Sequence, residues 1–144
     1  MTLEDEAATA RLGAALASLV QRGDVITLSG PLGVGKTALA RGLITALGHS
    51  GDVPSPSFAI VQPYEELNPA VWHVDLYRIE KPAEIEELGL DSAGDSVLIV
   101  EWPERAGEHS WPQALKLSLD FGPNDDRILT VRVPPPWEGR WPPK

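Results

Sequence analysis

One eight-residue segment has the residue types and spacing needed to hold a polyphosphate. Residues 30–37, Gly-Pro-Leu-Gly-Val-Gly-Lys-Thr, fit the pattern G-x-x-x-x-G-K-[ST] at every fixed position. The glycines allow the backbone to turn its N–H groups toward anionic oxygens. Lys36 supplies a positive charge for the β- and γ-phosphates, and Thr37 offers a hydroxyl to Mg²⁺. The segment therefore predicts a nucleoside triphosphate site. The plain alternative is a glycine-rich turn with an incidental lysine.

Two carboxylates are candidates for the chemistry beside such a loop. A site of this kind needs a carboxylate near the metal, usually at the end of an apolar strand. Glu101 directly follows the apolar run 97–100, and Asp75 follows the weaker run 71–74. Either could hold Mg²⁺ while the other orients the attacking water, and the sequence leaves both assignments open. The plain alternative for each is a surface carboxylate at a strand end.

Other polar residues carry weaker signals. His73 shares a strand face with Asp75, but a lone histidine is more often a hydrogen-bonded core or surface residue. Residues 55–58, Ser-Pro-Ser-Phe, lie where many nucleotide-binding proteins have a switch segment. Ser57 could add a hydroxyl to the metal shell, or the segment could be a proline-rich connector. Neither asparagine begins the guanine-reading pattern N-K-x-D, which favours adenine.

The elements that must position these residues alternate between strands and helices. Helical spacing of apolar residues predicts helices over 5–21 and 35–47, and Pro82 begins a short helix that ends near Gly89. The alternation predicts a single α/β domain over 1–133, with a mixed, mostly parallel central sheet flanked by helices. A proline-rich tail over 134–144 is expected to be extended or loose. The predicted strands are 24–29, 58–64, 70–76, 97–100, 115–121 and 127–133.

Composition excludes several classes of function. The chain has 144 residues, 12 basic and 21 acidic side chains, and a net charge of −9. This negative charge disfavours direct binding to the phosphate backbone of nucleic acids. It has no cysteine, so thiolate metal sites and cysteine nucleophiles are excluded. It has no apolar run of about 18 residues that could span a membrane. The acidic N-terminus has no apolar leader segment, and a cytoplasmic location is the expectation.

Four blocks in the same order resemble the TsaE family, small bacterial P-loop ATPases of tRNA threonylcarbamoyladenosine synthesis. They are an opening helix at 6–13, the loop at 30–37, His-Val-Asp-Leu-Tyr-Arg at 73–78 and Val-Glu-Trp-Pro-Glu at 100–104. The acidic run 84–89 lies where the family has an acidic helix. The loop alone is common to many proteins, whereas the last two blocks at this spacing are far more specific. The resemblance extends over about 6–133 and implies a P-loop NTPase fold.

The resemblance also implies activity and partners. It implies binding of ATP and Mg²⁺, hydrolysis to ADP, and action on a complex of TsaD and TsaB that is reset between rounds. Because the sequence identifies no arginine finger, we expect hydrolysis to be slow alone and faster with the partner. Contact with tRNA would be indirect. Thr37 and Glu101 would hold the metal, and Asp75 would assist the metal or the water. The implied catalytic residues are Lys36, Asp75 and Glu101, and the implied nucleotide-binding residues are Glu6, Gly30, Leu32, Gly33, Val34, Gly35, Lys36, Thr37, Ala38 and Arg127.

Two departures and two rival functions remain at this point. Pro31 replaces the usual acidic or Asn residue in the loop, and Ser57 replaces the usual threonine. A nucleotide-gated binding module with negligible turnover is one rival. A small P-loop kinase is the other, although the arginine-rich lid such kinases need is missing from the sequence. No sequence pattern identifies an arginine finger, and Arg78 is only a guess for that role.

Overall fold

The computed structural model describes residues 1–56, 60–107 and 110–143. Helix α1 covers Glu6–Leu16 and begins at the N-cap Asp5, whose carboxylate accepts a 2.8 Å hydrogen bond from the Ala8 N–H. Helix α2 covers Lys36–Ala46, and α3 covers Ala83–Glu86. None of the helices in the described part of the chain is long and apolar enough to cross a membrane.

The first helix is shorter than the predicted span 5–21. The Leu16 carbonyl accepts hydrogen bonds from the N–H groups of both Leu19 and Val20, at 2.9 and 3.2 Å. The chain therefore tightens into a turn after Leu16 although apolar spacing continues. Helix α3 likewise ends at Glu86, three residues before Gly89, which has a positive φ of 69°. The apolar pattern therefore predicted that these helices exist but not where they end.

The seven strands are β1 Thr2–Leu3, β2 Val25–Ser29, β3 Val61–Tyr64, β4 Val71–Asp75, β5 Val97–Glu101, β6 Leu115–Phe121 and β7 Arg127–Arg132. They form one sheet in the order β1-β7-β6-β2-β5-β4-β3. The four central strands, β6, β2, β5 and β4, run parallel to one another, whereas the pairings of β1 with β7, β7 with β6 and β4 with β3 are antiparallel. This confirms the mixed sheet with a parallel centre.

One strand of the sheet was not predicted from the sequence, and one predicted strand is described only in part. Strand β1 is an additional edge strand of two residues. The sequence could not predict it, because an alternating apolar and polar pattern is recognisable only over at least four residues. Its Thr2 pairs with Ile128 of β7. The strand predicted over 58–64 is described from Ile60 onward, and its first two residues lie outside the described part of the chain.

Helices α1 and α2 pack against each other through glycine. A Cβ on Gly42 would overlap the carbonyl oxygen of Ala10, and a Cβ on Gly13 would overlap that of Leu39. The two backbones therefore approach more closely than any side chain would allow. Leu16 and Leu43, both fully buried, belong to the same hydrophobic core. The packing holds α2, whose N-terminal end follows the predicted nucleotide loop.

The expectation of a loose C-terminal tail is wrong. Trp137 is fully buried within the main core, and Trp141 packs against the same core. Arg140 forms an ion pair of 2.7 Å with Asp24 and donates a 2.8 Å hydrogen bond to the Leu19 carbonyl. Proline content suggested a loose segment, but burial of a large indole together with a paired arginine outweighs the cost of ordering it.

Candidate nucleotide-binding site

The glycine-rich loop joins the end of β2 to the start of α2. Gly33 and Gly35 have φ values of 79° and 115°, in the left-handed region that other residues rarely adopt. Gly35 is the N-cap of α2, so the helix presents its first unpaired N–H groups and its positive dipole end at the loop. A helix N-terminus entered through such a loop binds phosphate readily.

Two contacts hold the ends of the loop. A Cβ on Gly30 would overlap the Leu119 carbonyl oxygen, so the start of the loop lies tight against β6. Arg127 donates a 2.9 Å hydrogen bond from Nε to the Val34 carbonyl. The fully buried Val34 side chain packs in the core below. These contacts fix the loop before any ligand arrives.

Lys36 lies inside the loop and is only 4% exposed. Its ammonium donates hydrogen bonds to the carbonyls of Gly30 and Pro31 and lies 3.7 Å from the ring centre of Trp102. Burial lowers the pKa of Lys36, and the nearby charges of Glu101, Glu104 and Asp75 partly oppose that effect.

Glu101 occupies the end of β5 beside the loop and is 2% exposed. The Thr37 hydroxyl donates to its two oxygens at 3.0 and 3.1 Å. On the other side, the Nε2 atom of the fully buried His73 lies 2.6 Å from Oε2. The carboxylate is therefore held between the first turn of α2 and strand β4.

Asp75 is the register partner of Glu101 across β4 and β5. Its Oδ1 accepts a 2.9 Å hydrogen bond from the Tyr77 N–H. Burial raises the pKa of Asp75, and the charge of Glu101 raises it further, while the Tyr77 N–H lowers it. The parallel register thus brings both strand-end acids to the same edge of the sheet, beside Lys36.

These side chains surround a cleft of about 430 Å³. Gly30 and Val34 shape the loop from below, and the other sequence-predicted residues line the cleft. Those lining residues are Glu6, Leu32, Gly33, Gly35, Lys36, Thr37, Ala38, Asp75, Glu101 and Arg127.

Sequence reasoning missed two residues of the lining, Arg41 and Tyr77. Arg41 lies one helical turn after Thr37, so the spacing in α2 could have placed it on the same face. Trp102 and Arg78 also line the cleft. Ser57, the proposed extra metal ligand, lies outside the described residues.

The donor set suits a magnesium ion. Thr37 and Glu101 offer a hydroxyl and a carboxylate, the hard oxygen donors that Mg²⁺ prefers. Within the described ranges, no group of three His, Asp or Glu side chains could hold a metal by itself. Mg²⁺ commonly binds through one or two protein oxygens and completes its shell with water and substrate phosphates. The residues present fit that mode.

The fold and the loop together define a P-loop NTPase-like domain, with the loop at the carboxyl end of a central parallel strand. The family model "Threonylcarbamoyl adenosine biosynthesis protein TsaE" matches residues 3–129. The chain belongs to the TsaE family, whose members act in tRNA threonylcarbamoyladenosine biosynthesis.

Individual relatives agree with the family model. The tRNA threonylcarbamoyladenosine biosynthesis protein TsaE of Streptomyces coelicolor is 43% identical over 128 residues, covering 85% of this chain and 86% of that protein. The Bacillus subtilis TsaE is 37% identical over 129 residues, covering 88% of this chain and 78% of that protein. The crystal structure of Bacillus subtilis YdiB superposes with a TM-score of 0.77 at 28% identity, covering 91% of this chain and 82% of that one.

Proposed function

We propose that this protein binds ATP with Mg²⁺, hydrolyses it slowly to ADP and phosphate, and thereby resets a TsaD–TsaB complex during tRNA modification. The observation that carries the proposal is the Thr37–Glu101 hydrogen bond beside the buried ammonium of Lys36. Family membership supports the pathway, and the geometry of the site supports the reaction type. Contact with tRNA stays indirect in this proposal because the net charge of −9 opposes binding to phosphate backbones.

The loop would bind the triphosphate with its N–H groups and with Lys36. The ammonium now donates to neutral carbonyls of the loop itself. A phosphate oxygen would replace those acceptors with a charged one, and hydrogen bonds between charged groups are roughly twice as strong. The gain would offset the burial that lowers the pKa of Lys36. Glu6 and Arg127, at the rim of the cleft, would lie beside the nucleoside.

Thr37 and Glu101 would hold the metal, which when bound neutralises charge that develops on the γ-phosphoryl group. Glu101 is already held by Thr37 and His73. We therefore assign the orientation of the attacking water to Asp75, whose carboxylate lines the cleft and is aimed by the Tyr77 N–H. Its raised pKa makes the carboxylate a better proton acceptor than an ordinary aspartate.

Hydrolysis by the isolated chain should be slow. Arg41 donates to the Val53 carbonyl, and Arg127 donates to the carbonyls of Val34 and Asp125. Both guanidinium groups are thus engaged by the protein's own backbone. An arginine supplied to the transition state is worth about 10³-fold or more in rate. Arg78 or an arginine of the partner complex would have to supply that charge.

The binding half of the proposal is tested by calorimetry with ATP and with ADP in the presence of Mg²⁺. Lys36→Ala should weaken binding about 10-fold or more, since bonds to charged groups contribute about 1.5–3 kcal/mol. Lys81→Ala is the matched control, because Lys81 is an exposed lysine that does not line the cleft. The absence of binding heat in the wild type, or equal affinities in wild type and Lys36→Ala, would refute the site.

The hydrolytic half is tested by phosphate release with and without the TsaD–TsaB complex. We expect slow release from the chain alone and faster release with the complex. Asp75→Ala should keep nucleotide binding while turnover and cycling of the complex both stop. If cycling continues unchanged, the protein is a nucleotide-gated binding module. A phosphorylated product in place of free phosphate would identify a kinase.

A further inference from the structure

We propose that His73 is a positioning residue that fixes the Glu101 carboxylate in the orientation the metal requires. The inference rests on the proposed Mg²⁺–nucleotide function and adds a residue to it. His73 touches neither the loop nor Thr37 by hydrogen bond within the described chain. Its hydrogen bond to the nucleotide site is made through Glu101.

The sheet register makes the contact. In the pairing of β4 with β5, His73 lies opposite Ile99, two residues before Glu101. Side chains two apart on a strand share a face, so the imidazole reaches diagonally to Glu101. The two side chains are 0% and 3% exposed, and the distance between Nε2 and Oε2 is 2.6 Å. Little water can reach this contact to replace it.

Geometry assigns the imidazole proton. The Nδ1 atom of His73 is buried and, within the described ranges, has no hydrogen-bond partner. A proton on Nδ1 would leave a buried donor unpaired and would place a lone pair of Nε2 against the carboxylate. A proton on Nε2 instead donates directly to Oε2. The His73 ring is therefore a donor to Glu101, with Nδ1 as the unprotonated nitrogen.

This donor determines how Glu101 presents its oxygens. Oε2 accepts from both Thr37 and His73, whereas Oε1 accepts from Thr37. Loss of the His73 donor would leave a buried carboxylate short of one bond and able to rotate. Outer-shell partners that hold a ligating carboxylate typically change metal affinity by about 10–100-fold. A histidine with a purely structural role would change stability and leave metal affinity as it was.

Two variants of similar polarity separate these roles. The amide nitrogen of glutamine can reach the place of Nε2, whereas that of asparagine reaches only the place of Nδ1. Manganese affinity is measured by paramagnetic resonance with ADP present, and ADP affinity is measured separately with EDTA. We expect His73→Asn to weaken Mn²⁺ binding about 10-fold or more while His73→Gln restores it. ADP affinity in EDTA should be equal in both variants and the wild type.

Equal Mn²⁺ affinity in His73→Asn and the wild type would overturn the inference and leave the proposed function intact. Failure of the wild type to bind Mn²⁺ with ADP would overturn both. A second measurement needs no folded variant. The ¹⁵N chemical shifts of His73 in the wild type should report a proton on Nε2, and a neutral ring protonated on Nδ1 would contradict the proposal.

Discussion

The Thr37 hydroxyl donates a 3.0 Å hydrogen bond to Glu101, a residue 64 positions later in the chain. Strands β2 and β5 are parallel neighbours, and Glu101 pairs with Leu28 near the end of β2. The start of α2 and the end of β5 therefore meet at one edge of the sheet. The bond joins the phosphate loop to the acid proposed for the metal.

Substitution of Thr37 should separate metal binding from nucleotide binding. Thr37→Val keeps the shape of the side chain and removes the hydroxyl that contacts Glu101. We expect ADP affinity with Mg²⁺ to fall about 10-fold, the equivalent of one lost bond to a charged group. Calorimetry in Mg²⁺ measures the ADP affinity with the metal present, and calorimetry in EDTA measures the ADP affinity without it. Thr37→Ser keeps the hydroxyl and serves as the control. An equal loss in EDTA would contradict a metal role.

Removal of the Asp75 charge should stabilise the protein in the absence of nucleotide and metal. Burial raises the pKa of Asp75 above the ordinary value of 3.8, so the folded state prefers the protonated form. The free energy of unfolding that the protonated Asp75 contributes is fully present below pH 3.8, and it is lost as the pH rises through the pKa of the folded state. Asp75→Asn should therefore unfold at higher urea than the wild type at pH 7, and the difference should shrink toward pH 4.

The control for that measurement is Asp120→Asn, a change at an exposed aspartate of β6. Urea unfolding of all three proteins is followed in EDTA at both pH values. A gain in Asp120→Asn equal to that in Asp75→Asn would point to the net charge of −9 rather than to burial. A lower stability of Asp75→Asn at pH 7 would contradict the expected sign.

The glycine contact between α1 and α2 predicts that a glycine-to-alanine substitution in α2 lowers stability, the opposite of its usual effect in a helix. Alanine in place of an interior helix glycine normally stabilises by about 0.5–1 kcal/mol. Gly42→Ala should instead destabilise by about 1–3 kcal/mol, because the added methyl overlaps the Ala10 carbonyl oxygen. Thermal or urea unfolding measures the difference. Thr45→Ala, at an exposed position of the same helix, should be neutral or slightly stabilising.

The C-terminal segment should contribute strongly to stability. Trp137 is fully buried, so Trp137→Ala should lower the free energy of unfolding by about 3–5 kcal/mol. Glu138→Ala, one residue later and exposed, is expected to have little effect. Urea unfolding of both variants is the measurement. Equal midpoints for Trp137→Ala and wild type would mean that the segment is not packed in solution.

The sequence by itself determined the chemistry of the loop and the class of fold. Residues 30–37 are contiguous, and backbone conformation over eight residues is a local matter that glycine positions reveal. The apolar runs before Asp75 and Glu101 are local as well, and they identified both acids as strand-end residues. The four blocks that resemble the TsaE family are also read from the sequence alone, because each is a short local segment and their order is the order of the chain.

Only the tertiary structure decided which partners those residues have. The contact of His73 with Glu101 depends on the register of β4 against β5, and the burial of Trp137 depends on a core formed from distant segments. Neither follows from neighbours in sequence, because strand register and packing are set by long-range contacts that form together. For this reason the sequence indicated a lone histidine and a loose tail, where the folded chain has a buried carboxylate contact and a packed segment.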